Sequence, residues 1–380
     1  MTVRWQIRVK DTSGVLVAVL DDTGGFSQAS VSQDVNDVKT ATVEFSAEDD
    51  RKDFFVLDGL VEFWRSNKDW GVWYREFVGL FREPVIEEVE DGNPRFRAHI
   101  VGPLDLVRRR VIAYKDEESP EVTKSDVGET VMKEYVDENA GSLATTGNGR
   151  ERTGTITGLS IETDLSRGSS WTGGRSFENL LTVLKELAVA TELDFEIDMD
   201  VNPSTFTFKV HPLLGTDRSK EGLDIATGLN GAGNVPMVFS REMGTLRHPV
   251  RAQTRKQEVN VGIVLGKGEG ASRTVFVEED TELTDDSPWN DIESVINAGN
   301  EEDVDLQGRA LTYLAERAPV EAVSFDLVQT REMFYGEHYF LGDLVAIEFL
   351  GLDLKMKIVS ADLSMQDGKE MVSFRFREVS

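Results

Sequence analysis

A run of carboxylates near the middle of the 380-residue chain comes closest to the pattern of a metal site. Asp198, Asp200 and Asn202 match the first three ligand positions of a calcium-binding loop. Pro203 stands where that loop requires glycine, and Lys209 stands where it requires a bidentate glutamate. The polar face of a β-hairpin explains the same spacing, so we predict no metal site here.

Phosphate binding, zinc binding and serine catalysis have equally little support. The glycine-rich stretch 266–270 lacks the Gly-Lys-Ser/Thr ending of a phosphate-binding loop, and a strand-like run follows it instead of a helix. No Gly-x-Ser-x-Gly elbow occurs, and the chain has no cysteine. We therefore predict no catalytic residue and no cofactor. The four histidines, none of which lies at metal-ligand spacing from another, are His99, His211, His248 and His338.

Acidic residues dominate the charge of the chain. The 69 Asp and Glu exceed the 41 Lys and Arg and give a formal net charge of −28. This excess argues against a protein that grips duplex DNA, because phosphate binding requires clustered Lys and Arg. So many carboxylates leave a glycosidase-type acid pair open, but no local motif identifies one.

Two acidic segments stand out. Asp194, Glu196 and Asp198 alternate with apolar residues and share one face of a predicted strand. Residues 278–305 contain twelve Asp or Glu and no Lys or Arg. We expect this second segment to be a solvated, partly flexible loop. The alternative is a surface that repels polyanions or that awaits a basic partner.

No segment predicts insertion into a membrane or export across one. The apolar run 15–20 is far shorter than the roughly 20 residues that a membrane helix needs. The first ten residues lack the apolar stretch of a secretory signal. We expect the protein to be made and assembled in a cytoplasm, without stable membrane insertion.

Alternating segments predict a first β domain at residues 1–106. Apolar and polar residues alternate strictly in its first strand, and turn residues at 11–14 lead into a second strand. Many short strands separated by turn signals indicate an antiparallel sandwich or barrel. The further strand-like runs are 26–33, 38–45, 57–65, 73–82, 85–90 and 95–101.

Residues 107–191 are predicted to form an inserted α+β segment. Apolar residues recur at helical spacing after Ser125 and, more strongly, after Ser176, so each serine is expected to cap a helix. A second β domain follows at 192–380, beginning with a hairpin and containing one helix at about 305–318. The predicted fold class is mainly β with an α/β insertion.

Several stretches, taken in order, carry a family resemblance. Two examples are the step Gly79-Leu80-Phe81-Arg82 and the turn Gly215-Thr216-Asp217-Arg218. In this order the chain resembles the siphovirus tail-tip or baseplate hub family, the Gp37-like tail proteins, over about residues 3–378. The stretches are 60–66, 75–85, 102–114, 176–198, 211–219, 260–273 and 339–347.

The resemblance implies two tail-tube-like β-barrel domains separated by a helical and loop insertion. It implies a homotrimer whose six barrels form a ring between the tail tube and the distal spike or fibre. The implied partners are the distal tail or tail-tube protein, the tape measure protein, and tail fibre or receptor-binding proteins. The implied location is the virion tail tip, and the role is structural rather than enzymatic.

The family resemblance implies roles for the acidic net charge and for three of the tryptophans. An acidic bore would let DNA pass without binding, and Asp194, Glu196 and Asp198 are the candidates to line it. The candidate interface aromatics are Trp64, Trp70 and Trp73. Two other functions remain open: a tail-associated cell-wall or polysaccharide hydrolase, and a carbohydrate-binding tail module that uses these tryptophans. Adaptation to a salt-loving host would be a second cause of the acidity.

Overall fold

The computed structural model describes residues 3–67, 72–88, 92–113, 121–201, 204–298 and 306–379. The fold is mainly β with an inserted helical segment, which confirms the predicted fold class. Within these ranges, no helix is long and apolar enough to cross a membrane.

Seven strands form the N-terminal region. Trp5, Ile7 and Val9 of the first strand are buried and their neighbours are only partly so, as the alternation predicts. The two runs predicted separately at 73–82 and 85–90 form one long strand with an irregular register near Phe81. The strands are β1 (Val3–Lys10), β2 (Leu16–Asp21), β3 (Gln28–Asp34), β4 (Thr40–Ser46), β5 (Leu60–Asn67), β6 (Trp73–Glu88) and β7 (Pro94–Val101).

The inserted segment mixes helices with short strands. Its two longer helices pack against each other over a buried apolar core that is separate from the core of the main sheet. Its elements are α1 (Asp105–Arg108), β8 (Val122–Val127), α2 (Gly128–Asn139), β9 (Leu159–Ile161), β10 (Ser170–Arg175) and α3 (Leu180–Thr191).

The first predicted helix cap is wrong. Ser125 lies in β8 opposite Thr172 of β10, and their side-chain oxygens are 2.8 Å apart. The helix begins three residues later, at Gly128. A β-carbon on Gly128 would come within 2.4 Å of Thr191 Oγ1, so only glycine lets this end of α2 pack so closely against α3.

The second predicted helix cap is also wrong. Asn179, not Ser176, caps α3: its side-chain oxygen accepts a hydrogen bond from the Thr182 backbone N–H at 3.3 Å. The preceding residues are held outside the helix because the Phe177 N–H donates to the carbonyl of Ile112. The helical spacing of Phe177 is therefore coincidental, and its side chain is exposed.

The C-terminal region contributes the remaining strands and two helices. It opens with the predicted hairpin and carries its longer helix close to the predicted position. The elements are β11 (Asp194–Val201), β12 (Ser204–His211), β13 (Asp217–Arg218), β14 (Val238–Ser240), β15 (Leu246–Thr254), β16 (Val261–Leu265), β17 (Val275–Glu279), α4 (Thr281–Asp285), β18 (Glu293–Asn297), α5 (Leu306–Glu316), β19 (Val320–Leu327), β20 (Leu344–Phe349), β21 (Leu352–Gln366) and β22 (Lys369–Glu378).

Strands from both predicted β domains join in one twelve-stranded sheet. Its hydrogen-bonded path runs β13-β20-β21-β3-β4-β7-β6-β5-β1-β2, with β14 also on β20 and β22 also on β21. The link between the two regions is the antiparallel pair of β3 with β21. The path has two ends, so the described strands form no closed barrel. The division at residues 106 and 191 stays a prediction.

A single apolar core supports this sheet from both ends of the sequence. Its members are fully or almost fully buried, and their burial is the main source of stability for a sheet of this kind. Among them are Trp5, Phe63 and Phe96 from the N-terminal strands, and Phe239, Ile347 and Met356 from the C-terminal strands.

A separate three-stranded sheet contains part of the acidic segment 278–305. β16 lies in the centre, antiparallel to β17 and parallel to β18, and α5 packs on one face. The expectation of a solvated loop is therefore wrong for the described part, because β17, α4 and β18 order it. Residues 299–305 lie outside the described residues.

Candidate assembly interface

The three candidate bore acids of β11 have different surroundings. Asp194 is only 2% exposed and pairs with Lys357 of β21, whose Nζ lies 2.6 Å from one carboxylate oxygen. The backbone N–H of Leu214 and the side-chain amide of Asn36 also donate to Asp194. A buried carboxylate cannot line a solvent-filled bore, so Asp194 acts instead as a link between β11 and the main sheet.

Glu196 and Asp198 lie on the accessible part of the hairpin. The ring of His211 is 3.4 Å from the carboxylate of Glu196, and Lys209 lies 2.8 Å from Asp198. Burial alone would raise both carboxyl pKa values, but His211 beside Glu196 and Lys209 beside Asp198 outweigh it and lower them. Both groups therefore carry charge at neutral pH. Their position in a bore stays a prediction.

A small cavity of about 140 Å³ lies where the hairpin meets the main sheet. Glu196 and Asp198 line it together with two cations, Lys39 and Arg75. The guanidinium of Arg75 also donates to the backbone carbonyl of Met199 at 2.9 Å, which fixes the hairpin against β6. Within the described ranges, no group of three or more His, Cys, Asp or Glu side chains could hold a metal ion.

Two of the three candidate interface tryptophans are described. Trp64 is partly buried in β5, and its Nε1–H donates to Glu62 at 3.0 Å. The guanidinium of Arg8 lies 4.2 Å from the centre of the Trp64 ring and covers part of its face. Trp73 begins β6 and is also partly buried. Trp70 lies outside the described residues.

A buried ionic cluster joins the two ends of the chain. Arg65 of β5 is fully buried and donates to both carboxylate oxygens of Glu370 in β22, at 2.6 and 2.7 Å. It also donates to Glu76 and to the hydroxyl of Tyr74. Glu370 accepts a further bond from the indole of Trp5. The two carboxylates compensate the buried guanidinium, as a buried charge requires.

Two motifs of the family resemblance meet in the middle of β6. A β-carbon on Gly79 would lie 2.4 Å from the carbonyl oxygen of Val101, so glycine permits the close approach of β7. Arg82, three residues later, lies 3.6 Å from the fully buried Asp105 of α1. Arg109 also approaches this carboxylate, at 2.7 Å. These motif residues attach the inserted segment to the main sheet.

Two other motifs interlock in the C-terminal region. Gly342 has a φ of +90°. A β-carbon added to Gly215 would lie 2.4 Å from the carbonyl carbon of Gly342. The neighbouring Asp343 is buried and accepts hydrogen bonds from the Thr216 N–H at 2.6 Å and from Arg218 at 3.2 Å. Burial raises the pKa of Asp343 despite these donors. The pair of motifs thus positions β13 beside β20.

A third buried ionic cluster lies inside the inserted segment. Glu129 of α2 is fully buried between Lys133, at 2.5 Å, and Arg167, at 2.7 Å. The backbone N–H groups of Arg167 and Leu165 donate to the same carboxylate. Burial alone would raise the pKa of Glu129, but these donors and cations lower it to about 2.

The remaining sequence motifs have structural positions. The glycine-rich stretch 266–270 belongs to the connection between β16 and β17, where the Gly266 N–H donates to the carbonyl of Thr274. Asp198 and Lys209, two positions of the incomplete calcium pattern, pair with each other across the β11–β12 hairpin. The hairpin prediction is therefore confirmed.

Sequence reasoning missed the buried ionic links. Arg65 and Glu370 are 305 positions apart, and Asp194 and Lys357 are 163 apart, so no spacing rule connects them. One available signal was the placement of Arg65 and Lys357 within otherwise strand-like runs, since a long cation in a buried strand requires a carboxylate nearby.

Comparison with known proteins places these features in a family. The family described as Siphovirus ReqiPepy6 Gp37-like protein matches residues 6–375. No curated protein sequence matches the chain.

Solved structures with a similar fold come from two tail proteins and a PdpA-VgrG complex. The 43 kDa tail protein of prophage MuSo2 from Shewanella oneidensis has 10% identity and a TM-score of 0.53, covering 98% of this chain and 97% of that one. A tail protein from Neisseria meningitidis MC58 has 9% identity and a TM-score of 0.54, covering 100% and 97%. A Francisella PdpA-VgrG complex chain has 9% identity and a TM-score of 0.54, covering 100% and 58%.

Proposed function

The chain belongs to the family of Siphovirus ReqiPepy6 Gp37-like proteins, and from this we propose that it is a structural hub of a phage tail tip or baseplate. Three copies form a ring that joins the tail tube above to the distal spike or fibre below. The observation that carries the proposal is coverage: the family match spans residues 6–375, and the fold extends over 97% of two solved tail proteins.

An unclosed sheet edge supports assembly into a ring. β2 is one end of the main sheet, and on its other side no described strand is paired with it. Leu16 and Val19 of this strand are 51% and 43% exposed. An exposed apolar edge strand invites pairing with another chain, and a ring of copies covers every such edge. Trp64, Trp70 and Trp73 remain our candidates for the contacts between copies.

The acidic charge suits a conduit for DNA. A bore lined by carboxylates repels phosphates, so duplex DNA passes without specific binding. Glu196 and Asp198 are the candidates for this lining, because both are charged at neutral pH and accessible on the hairpin. The −28 net charge then serves transport through the ring as well as solubility.

The proposed partners follow from this position in the particle. Above the ring lies the distal tail or tail-tube protein, and the tape measure protein ends within the tube. Below it lie tail fibre or receptor-binding proteins. The hub is assembled in the host cytoplasm and becomes part of the virion, with a structural rather than enzymatic role.

Measurement of mass and shape tests this proposal. Light scattering of the purified protein should give three times the mass of the chain, and electron microscopy should show a threefold ring with a bore wide enough for duplex DNA. A monomer at all concentrations would overturn the hub assignment. Incubation with host envelope polymers should release no products; cleavage that is lost on substitution of a single acid would instead establish a hydrolase.

A further inference from the structure

The three-stranded sheet of β16, β17 and β18 has one face against which α5 does not pack; at one end of this face the central Val261 is only 8% exposed, but the flanking strands carry exposed side chains. α5 packs on the inner face, where Ala310 and Leu306 meet Val264. The opposite face, here called the outer face, carries the alternate residues of the same strands. Because side chains alternate across a strand, its composition follows directly from the register.

One row of the outer face is wholly apolar, and a second is apolar at two of its three positions. One row, across the three strands, is Val277, Ile263 and Val295. The two valines are 55% and 60% exposed. In the next row Leu265 lies between Val275, which is 53% exposed, and the polar Asn297, whose side-chain oxygen accepts a hydrogen bond from Arg273. A contiguous row of half-exposed β-branched side chains is unusual on a surface that faces only water.

The third row is acidic. Glu279 and Glu293 flank Val261 in register, one on each side. Among the described residues, no Lys, Arg or His forms an ion pair with either carboxylate. Five further acids lie between β17 and β18, and the exposed Trp289 precedes β18 at the same end. The outer face therefore combines an apolar patch with a strongly negative end.

We propose that the outer face docks an amphipathic helix of another protein, with apolar side chains on one stripe and Lys or Arg at one end. The negative end selects this partner by charge. A second copy is disfavoured as the occupant because each copy carries a net charge of −28, so two copies repel each other. The proposal goes beyond the hub assignment and does not depend on it.

The dimensions of the outer face match a single helix. Five residues along a strand and three strands across give a surface of roughly 17 by 14 Å. This is well below the about 800 Å² per partner of a standard protein–protein interface, but it accommodates a helix about 10 Å in diameter. α5, an 11-residue helix, already occupies the other face of the same strands in this way.

A defined peptide tests the proposal. The probe is a fluorescent Lys/Leu amphipathic helix of about 18 residues, and its control is the same peptide with Glu in place of Lys. Fluorescence anisotropy measures binding to the full chain. We expect the cationic peptide to bind and the anionic peptide to bind at least about tenfold more weakly. Equal binding of the two peptides, or no binding of the cationic one, would overturn the proposal.

Matched variants localise the binding. The double variant V277T/V295T keeps β-branched side chains in both strands and should weaken binding about fivefold. V250T alters a 54% exposed valine of β15 and should leave affinity unchanged. Equal affinity of both variants would show general attraction to an acidic protein and would refute docking at the outer face.

Charge variants and a unique label give independent readouts. E279Q/E293Q should weaken binding about threefold and flatten its salt dependence, whereas D50N/D53N, at an exposed acidic turn elsewhere, should change neither. Because the chain has no cysteine, V277C and V250C each provide a single labelling site. An environment-sensitive dye should respond to the cationic peptide at position 277 only; a response at 250 alone would place the contact elsewhere.

Discussion

Gly215 lies against Gly342 so closely that the pair has no room for a side chain. A β-carbon on Gly215 would come within 2.3 Å of the Asp343 backbone nitrogen and 2.4 Å of the Gly342 carbonyl carbon. Both obstacles are backbone atoms, which cannot rotate away. The contact fixes the short strand β13 beside β20, so a sequence motif of the family has a packing role here.

Substitution of Gly215 by alanine should destabilise the fold. Because the added methyl group meets backbone, we expect a loss of about 2–3 kcal/mol in the free energy of unfolding, measured by denaturant titration. Gly147→Ala is the matched control, since its nearest neighbour would be 3.7 Å away. Similar stability of the two variants would contradict the close packing described for Gly215.

The buried pair of Asp194 and Lys357 predicts how substitutions at these two positions change the stability of the fold. Asp194→Asn leaves the ammonium of Lys357 buried without a counter-charge, at a cost of about 3–5 kcal/mol of stability. Burial already lowers the pKa of Lys357, so this ammonium is sensitive to loss of its partner.

The double variant D194N/K357M should recover part of this loss, because it removes the orphaned charge. Asp198→Asn provides the control, as its pair with Lys209 is largely solvent-accessible and is worth less than about 1 kcal/mol. A double variant no more stable than D194N would show that the pair is not coupled. Thermal and denaturant unfolding measure all three variants.

Glu129 predicts how stability changes with pH. Its pKa falls from 4.5 to about 2 on folding, so its contribution is fully present above about pH 4.5 and is lost as the pH falls towards 2. Glu129→Gln should cost about 2–3 kcal/mol at pH 7 and should flatten the loss of stability between pH 5 and 3. Parallel stability curves for the variant and the parent would contradict the assignment.

The exposed edge at β2 predicts that a charged side chain placed on this strand weakens the trimer. Val19→Lys places a charge on the edge strand and should raise the dissociation constant of the trimer at least about tenfold. Val250→Lys changes a similarly exposed valine in β15 and should leave the trimer intact. Analytical ultracentrifugation over a range of concentrations measures both. Dissociation by both variants, or by neither, would exclude β2 as the contact edge.

The bore assignment of Glu196 and Asp198 predicts an effect on DNA. Reversal of both charges in E196K/D198K should make the assembled protein retain duplex DNA at low salt, with release as salt rises. D50K/D53K makes the same change in net charge at an exposed turn outside the hairpin. Equal retention by the two variants would place the hairpin acids away from the path of DNA.

The sequence predicted the elements better than their partners. The alternation in β1 and the helical spacing in α3 are local, so periodicity was sufficient to find them. Periodicity does not specify which strand pairs with which, so it could not show that β3 joins β21 in one open sheet. The helix caps failed for a related reason, since a strand pair that reaches from β8 to β10 decides where α2 begins.

The candidate site was less predictable still. Asp194 resembled its neighbours Glu196 and Asp198 in sequence, and only the distant Lys357 makes it a buried link instead of a surface charge. The acidic segment looked like a loop because charged residues dominate it. The strands of this segment are held in place by elements outside it, because they pair with β16 and α5 packs on the same sheet.

The pairing of β3 with β21 determines when the main sheet can form during biosynthesis. Ser32 donates a hydrogen bond to Asp362, a residue 330 positions later in the chain. At ribosomal rates of about 5–20 residues per second, β3 waits roughly 15–65 s for its partner to emerge. The main sheet is therefore completed only after β21 and β22 have been synthesised, and a chain that stops before Leu352 lacks both strands. Such a chain cannot connect β20 to β3 through β21, so its N-terminal strands lack the C-terminal half of the sheet.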